Sequence, residues 1–467
     1  MAKRKKKILL LSDDLRMHSG IATISRQIVT GTADKFDWVQ MGAAITHPDE
    51  GKIFDLSQAI QEETGCKDAS VKVYPCSGYG DPNKLREIIA REQPDAILHF
   101  TDPRYWIWLY ESAHEFREKL PILFYHIWDD LPDPMYNRNY FESCDWISCI
   151  SKQTYGIVRR VWGSKRESTW NQPKKWQVKY VPHGISSDWY YPVTDEAELV
   201  EMETFTEQVK TQCGKKDFVL LWINRNIRRK QPGDLILAYK EFCDKLPKAK
   251  SKKCLLLMHT SPIDDNGTDL IAVKKELCPD YDVIFSGGGL DTTRMNWLHN
   301  MADVTINIAN NEGFGLTTCE SMMAGNPIIV NVTGGLQDQC GFSVDGVELD
   351  EEDYVKHGSL HNWKTWEGKV DHGVWVKPIW SRVRSLNGSP PTPYIFDDRV
   401  DYEEVSDKIM EWYNTPADER KAAGLAGRQW LLDGKLNHNY MCDAMADGIN
   451  DTLKNWKPLK RFTVNKI

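Results

Sequence analysis

The fold is decided by the stretch NNEGFGLTTCESMMAGNP, residues 310–327. Apolar runs of strand length lie on both sides of it, at residues 304–308 and 328–332. Helix-forming residues begin at about Leu316, and Gly325 ends them, so a loop and a short helix are predicted between the two strands. A strand, a helix and a second strand in this order are typical of a parallel α/β sheet.

Two glycines, Gly313 and Gly315, lie in the loop and allow a ligand to approach the backbone closely. The predicted helix begins at the C-terminal edge of a strand, so its free N–H groups can bind a phosphate or another anion. Glu312 in the loop and Glu320 in the first turns of the helix frame this position. A carboxylate accepts two hydroxyl hydrogen bonds, which suits sugar and ribose rings. The alternative is that both are ordinary solvated glutamates.

Length and composition indicate a soluble globular protein. The chain has 467 residues, which suits two domains, and its 41% hydrophobic and 27% charged content is ordinary. No apolar run is long enough to span a bilayer. The basic start, residues 3–7, lacks a signal-peptide core and is predicted to be a charged tail. Contact of this tail with nucleic acid or a membrane surface is the alternative.

The 11 cysteines are scattered and form no C-x-x-C pair, which predicts reduced thiols in a cytoplasm, or in a host cytoplasm if the protein is viral. The net charge of −8 argues against nucleic-acid binding by the whole surface and leaves a local basic groove possible. The sequence leaves the oligomeric state open.

Apolar runs alternate with helical stretches along the whole chain, which predicts parallel sheets with helices on both faces. In such sheets, ligands bind at the C-terminal ends of the strands. The predicted strands before the one at residues 304–308 are residues 7–12, 38–44, 71–75, 96–100, 122–127, 146–150, 178–183, 218–223, 254–259 and 283–286.

Several polar residues follow these strands. His126 ends one of them, although a lone histidine is more often structural. Asp102, Arg104 and Trp106 follow another strand and could face an acceptor. Asp129 lies in the loop after His126 and is a further acceptor candidate; with its neighbour Asp130 it could also bind a metal.

Four cations lie within residues 225–230, directly after a predicted strand. Cations so concentrated at a strand end call for an anion. A solvated charged loop is the alternative.

These motifs resemble a known family. Glu312-Gly-Phe-Gly-Leu with Glu320 resembles the paired-glutamate signature of retaining glycosyltransferases of the GT-B fold. The similarity is to glycosyltransferase family 4 (glycosyl transferases group 1), which includes sucrose-phosphate synthases and mannosyltransferases. It is strong over residues 218–335, moderate over the first domain and absent from an insert at about 354–394 that contains Trp363 and Trp366.

The resemblance implies an α/β fold of two Rossmann-like domains that face a cleft. Residues 1–190 would form the acceptor-side domain, and residues 191–439 the nucleotide-sugar donor domain. A C-terminal helix within about 440–467 would cross back to the first domain. The insert is expected to shape the acceptor side.

The resemblance also implies roles for individual residues. Glu312 would contact the donor sugar, Glu320 the ribose, and Arg225 with Lys230 the diphosphate. His126 would lie close to the reacting sugar. The backbone near the donor phosphates would come from Gly20, Gly313, Phe314, Gly315 and Leu316.

The implied reaction moves a sugar from a nucleotide diphosphate sugar, expected to be a UDP-sugar, to an acceptor hydroxyl with retention. Fixed cations and a helix N-terminus would stabilise the leaving diphosphate, so no metal or other cofactor is expected. Glu312, His126, Arg225 and Lys230 are the predicted catalytic residues.

The acceptor stays open. It is a glycan or small molecule or, as in viral enzymes on a GT-B scaffold, a hydroxymethylated base of DNA. A third hypothesis is a non-catalytic protein of the same fold that binds sugar nucleotides or DNA.

Overall fold

The structure, a computed structural model, describes residues 4–45, 49–164, 172–358 and 369–459. It contains two large sheets, one in each half of the chain. The predicted strands are confirmed, with differences of a few residues at their ends.

The first sheet has eight strands. They are β1 (Lys6–Asp13), β2 (Phe36–Ile45), β3 (Phe54–Asp55), β4 (Val71–Ser77), β5 (Ala96–Phe100), β6 (Ile122–His126), β7 (Trp146–Cys149) and β8 (Val178–Tyr180). Their order is β3-β4-β2-β1-β5-β6-β7-β8, and all neighbours are parallel except β3 and β4. The aliphatic β1 therefore lies in the interior of the sheet.

The helices of the first half connect these parallel strands. They are α1 (Gly20–Gly31), α2 (Ser57–Thr64), α3 (Pro82–Glu92), α4 (Ile107–Glu111), α5 (Ala113–Phe116), α6 (Arg138–Glu142) and α7 (Lys152–Trp162). Short 3-10 turns cover Pro103–Trp106, Met135–Asn137 and Lys175–Gln177. Helix α1 begins at Gly20 because the Ser19 hydroxyl accepts a hydrogen bond from the Ala22 amide at 3.0 Å.

The second sheet has six parallel strands. They are β9 (Phe218–Ile223), β10 (Cys254–His259), β11 (Val283–Ser286), β12 (Val304–Asn307), β13 (Ile328–Asn331) and β16 (Val376–Ile379). Their order is β11-β10-β9-β12-β13-β16. Two antiparallel hairpins stand apart from this sheet, namely β14 (Ser343–Val344) with β15 (Val347–Glu348), and β17 (Val383–Ser389) with β18 (Thr392–Arg399).

The helices of the second half begin with α8, ahead of the sheet. They are α8 (Glu196–Cys213), α9 (Pro232–Asp244), α10 (Lys248–Ser251), α11 (Leu270–Leu277), α12 (Thr292–Met301), α13 (Leu316–Met323), α14 (Glu351–His357), α15 (Tyr402–Asn414), α16 (Ala417–Asp433) and α17 (His438–Asn455). Further 3-10 turns cover Arg228–Lys230 and Gly334–Gln339.

Both sheets are buried on both faces. Every residue of β5, β6, β9 and β13 is buried, which explains why these strands are continuous apolar runs without alternation. Large side chains such as Trp146 and Trp222 are fully buried in them. Burial of each such side chain contributes roughly 1.5–3 kcal/mol to folding.

The last helix, α17, packs against α1 and β7 of the first domain, as the predicted fold class implies. Gly448 makes this contact close, since a Cβ there would clash with the indole of Trp146. An ion pair of 3.0 Å between Lys179 and Asp451 lies on the same interface. Residues 460–467 of the predicted segment lie outside the described residues.

The insert predicted at 354–394 does not form one separate segment. Trp363 and Trp366 lie outside the described residues. Residues 376–379 are the edge strand β16 of the second sheet, where Pro378 is tolerated because an edge strand needs fewer ladder hydrogen bonds. The β17–β18 hairpin then extends from this edge.

Candidate active site

A cavity of about 1130 Å³ lies between the two domains. The first domain lines it at the C-terminal ends of β6 and β7 and at the start of α1, and the second domain lines it with the loops after β9 and β12. The β17–β18 hairpin forms part of a third side. The volume is sufficient for a ligand larger than a typical drug molecule.

A buried ion pair lies on the second-domain side of the cavity. The Lys230 ammonium donates a hydrogen bond to Oε2 of Glu312, and both side chains are almost fully buried. Asn307 donates to the same oxygen at 3.4 Å, and the Arg229 guanidinium lies 3.9 Å from Oε1. Two cations therefore share one carboxylate.

This arrangement sets the protonation of the pair. Burial would raise the pKa of Glu312, but Lys230 and Arg229 hold it below its ordinary value. Burial lowers the pKa of Lys230, against the opposing effect of Glu312. An anionic ligand would compete with Glu312 for these cations.

The glycine loop opens the next helix toward the cavity. Gly315 is the N-cap of α13, has φ +86° and offers no side chain to cap the first amides. These N–H groups are therefore available to an anion. Gly313, Phe314 and Leu316 also line the cavity, and their backbone contact with a donor stays a prediction.

A second glycine turn, Gly334-Gly335, packs against the backbone of this loop. The Gly335 amide donates to the Glu312 carbonyl at 2.8 Å. Gly334 has φ +47°, and a Cβ there would clash with the same carbonyl oxygen. The two turns thus fit together only because glycine occupies these positions.

Glu320 is not among the residues that line the cavity. Its carboxylate lies 3.7 Å from Nε2 of His299. Burial raises the pKa of Tyr190, and the Glu320 carboxylate adds to that rise. Its role as a ribose ligand stays a prediction.

Two cations of the cluster after β9, Arg225 and Arg229, differ in their ion-pair partners. Arg225 lines the cavity but is largely exposed and ion-paired with Asp264 at 2.7 Å. Arg229 also lines the cavity and donates to the Asn311 carbonyl. The sequence placed Arg229 in the cluster but gave no signal that its side chain would reach Glu312, because that direction depends on the 3-10 turn Arg228–Lys230.

His126 and His183 of the first domain line the cavity. Burial lowers the pKa of each to about 3, so both are neutral. Neither ring nitrogen of His126 has a hydrogen-bond partner among the described residues. His183, which the sequence analysis did not select, bonds the Tyr125 hydroxyl at 2.8 Å and packs against Phe314. Gly20 lines the cavity beside Leu316.

The four residues predicted to face an acceptor do not all lie at the cavity. Asp102, Arg104 and Asp129 line the cavity. Trp106 does not face an acceptor: it is fully buried in the core of the first domain, because the 3-10 turn Pro103–Trp106 turns its ring inward, and this prediction is wrong.

Asp129 and Asp130 lie next to each other on this wall. Burial raises the pKa of Asp129 to about 6, Arg229 opposes this shift, and Glu312 adds to it. Burial and the neighbouring Asp129 raise the pKa of Asp130 well above its ordinary value. Within the described ranges, no group of three His, Cys, Asp or Glu residues is arranged to hold a metal ion.

The chain is similar to known proteins in sequence and in fold. Residues 204–355 match the family model for glycosyl transferases group 1. Mannosylfructose-phosphate synthase of Agrobacterium fabrum is 22% identical over 200 residues, which cover 42% of this chain and 39% of that protein. The match thus spans about two fifths of the relative's length.

Solved structures are similar over nearly the whole chain. HepE of Anabaena in complex with UDP and glucose has a TM-score of 0.61 at 12% identity, covering 96% of this chain and 100% of that one. Sucrose-phosphate synthase of Thermosynechococcus elongatus has a TM-score of 0.64 at 15% identity, with the same coverage. An α,α-trehalose-phosphate synthase (UDP-forming) of Burkholderia vietnamiensis has a TM-score of 0.61 at 11% identity, covering 96% and 99%.

Two Rossmann-like domains with the cavity between them define the GT-B fold, and the predicted fold class is confirmed. The chain has this fold, and the match to glycosyl transferases group 1 covers residues 204–355 of it. In the part of the chain that the structure describes, no helix is long and apolar enough to cross a membrane.

Proposed function

We propose that the protein transfers a sugar from a UDP-sugar to an acceptor hydroxyl with retention of configuration and without a catalytic metal. The observation that carries this proposal is the buried Lys230–Glu312 pair beside the open N-terminus of α13. The pair offers a cation to a diphosphate and a carboxylate to sugar hydroxyls, within one side of the cavity.

The donor diphosphate binds Lys230, Arg225 and the first amides of α13. When it displaces Glu312 from Lys230, the freed carboxylate accepts hydrogen bonds from the sugar. Negative charge grows on the leaving diphosphate as the bond to the anomeric carbon breaks. Fixed cations and amides in a desolvated cleft stabilise that charge, and one such contact is worth roughly 3–4 kcal/mol.

The acceptor oxygen forms its bond to the anomeric carbon on the face from which the diphosphate leaves. Its proton passes to the departing phosphate oxygen, and the nucleotide diphosphate is released. A UDP-sugar is the proposed donor because two structures of the similar HepE hold UDP with glucose or UDP-glucose, and a second similar protein is described as UDP-forming.

The position of the basic tail does not support DNA as the acceptor. Residues 4–7 lie at the N-terminal end of β1, whereas the cavity lies at the opposite, C-terminal end of that strand. Their cations are also paired, for example Lys5 with Asp68 at 2.7 Å and Lys7 with Glu92 at 3.0 Å. The non-catalytic alternative leaves the paired Lys230 and Glu312 without a purpose.

The test incubates the protein with a panel of nucleotide sugars and acceptors. Mass spectrometry then detects the released UDP and the transferred sugar. NMR of the product reads its anomeric configuration. Wild type should consume a UDP-sugar, and Glu312→Gln should lower turnover at least hundredfold. Glu276→Gln, an exposed change on α11 outside the cavity lining, serves as the matched control.

Inversion at the anomeric carbon would contradict retention. A folded Glu312→Gln variant with the wild-type rate would contradict the role of Glu312. Binding of a UDP-sugar without any turnover would favour the non-catalytic alternative.

A further inference from the structure

We infer that the β17–β18 hairpin and the facing first-domain loops form an acceptor subsite for an uncharged molecule rich in hydroxyl groups, and that phosphorylated sugars are poor acceptors. This inference rests on the proposed function, because it names the acceptor class of the same cavity.

The hairpin belongs to the second domain in sequence but is anchored on the first. The Phe396 amide donates to the Leu131 carbonyl at 2.6 Å. The Tyr136 hydroxyl donates to the Tyr394 carbonyl at 2.8 Å, and the two rings pack edge to face at 4.9 Å. The hairpin therefore spans the cleft and closes one side of the cavity.

The surface that the hairpin presents to the cavity is polar and carries no cation. Its lining residues are Asn387, Gly388, Ser389, Thr392, Ile395 and Asp397. Amide, hydroxyl and carboxylate groups of this kind exchange hydrogen bonds with hydroxyl groups of either polarity.

Opposite the hairpin, Arg104 is the cation on the first-domain wall among the lining residues that the structure describes. Its Nε donates to both oxygens of Asp102, at 2.9 and 3.0 Å. The guanidinium also donates to the Thr392 hydroxyl and lies 5.4 Å from the centre of the Trp128 ring. Arg104 is thus already neutralised and joins the two walls of the subsite.

The subsite also carries three further carboxyl groups. Asp129 and Asp130 line the first-domain wall, and Asp397 lines the hairpin. The other lining cations, Arg225, Arg229 and Lys230, lie on the donor side, and their carboxylate partners are Asp264 and Glu312. A phosphate monoester placed against the hairpin would meet Asp397 and the Asp102–Arg104 pair without an excess of cations, which opposes its binding.

A neutral polyol or sugar meets none of this repulsion. Its hydroxyls find Asn387, Ser389 and Asp102, and the buried Trp128 also lines the cavity. Three of the similar proteins named above are sucrose-phosphate, trehalose-phosphate and mannosylfructose-phosphate synthases, whose products carry a phosphate. The inference therefore separates this chain from those relatives by acceptor charge.

The first experiment compares matched acceptors with the wild-type protein and its best UDP-sugar donor. Glucose is paired with glucose 6-phosphate, and fructose with fructose 6-phosphate; maltose and hydroxymethylated DNA complete the panel. We expect kcat/KM for the neutral member to exceed that of its phosphorylated partner at least tenfold. Preference for the phosphorylated member, or transfer to DNA alone, would overturn the inference.

UDP binding, measured by calorimetry on the same protein, separates the two levels of the argument. Tight UDP binding with preference for a phosphorylated acceptor would leave the proposed function standing and overturn only the acceptor class. Absence of UDP binding would remove the proposed function and the inference with it.

A charge change on the hairpin gives a second, independent test. Asp397→Arg places a free guanidinium in the subsite, and it should raise the ratio of phosphorylated to neutral acceptor kcat/KM at least tenfold. Leu386→Lys, on the same hairpin but 63% exposed and outside the cavity lining, is the matched control and should leave that ratio unchanged. An unchanged ratio in a folded Asp397→Arg protein, or an equal change in the control, would overturn the inference.

Discussion

The two walls of the cavity differ in how they treat charge. On the donor wall, Lys230 and Arg229 hold the pKa of Glu312 below its ordinary value against the effect of burial. On the acceptor wall, burial raises the pKa of Asp129 to about 6. The donor wall thus keeps its carboxylate ionised beside two cations, whereas burial on the acceptor wall opposes negative charge. One cavity therefore favours an anion on one side and a neutral partner on the other.

Removal of the donor-wall cation should have the largest effect. Lys230→Ala takes away the group that stabilises the departing diphosphate, and kcat/KM for transfer should fall roughly 10²–10³-fold. Arg228→Ala, in the same 3-10 turn but exposed and outside the cavity lining, is the matched control and should keep wild-type kinetics. Steady-state kinetics of UDP release measure both variants. Equal losses in the two variants would show that the whole turn, rather than the buried ammonium, matters.

The contrast between the walls also explains what the sequence could predict. Each donor motif is a continuous segment directly after a strand: residues 225–230 follow β9 and residues 312–316 follow β12. Local pattern was therefore enough to predict their position. The direction of single side chains was not predictable, because the turn Arg228–Lys230 turns Arg229 toward Glu312, and helix α13 carries Glu320 toward His299 instead of into the cavity lining.

The acceptor wall could not be assembled from the sequence, since its parts are distant in the chain. Arg104 meets Thr392 across 288 positions, and Tyr136 meets Tyr394 across 258. The β17–β18 hairpin gave no strand signal because most of its residues are partly or fully exposed, so no buried face imposes an alternating pattern. Trp106 was misassigned for a related reason, as a ring near a strand end can turn into the core.

The acceptor wall makes a pH-dependent contribution of intermediate size. The pKa of Asp129 is raised from 3.8 to about 6, so the folded state binds this proton more tightly than the unfolded state. Its stabilising contribution is complete below pH 3.8 and is lost as pH rises through about 6. The free energy of unfolding should fall by up to about 3 kcal/mol across that window on account of this group.

Asp129→Asn should abolish most of that pH dependence, which denaturant titrations between pH 4 and 7 would measure. Asp133→Asn, in the following loop and outside the cavity lining, is the control that should keep the wild-type slope. A variant with the wild-type slope would mean that Asp129 is ionised across the whole range. The two walls would then not differ in the way described above.

The smallest expected effect tests how the acceptor wall is held together. Tyr136→Phe removes the hydrogen bond from the hydroxyl to the Tyr394 carbonyl and keeps the packing of the rings. Loss of one such bond costs about 1 kcal/mol, and because the hairpin lines the acceptor side, KM for the acceptor should rise a few-fold. KM for the donor should stay constant, since Lys230 and Glu312 are held by their own loops.

Tyr140→Phe is the control for this change, because that hydroxyl, on α6 of the same segment, makes no hydrogen bond within the described part of the chain. Initial rates with each substrate varied in turn give both KM values. If donor and acceptor KM rose together in Tyr136→Phe, the hairpin would position the donor side as well. The cavity would then behave as one unit, because a hairpin that held only the acceptor could not weaken donor binding.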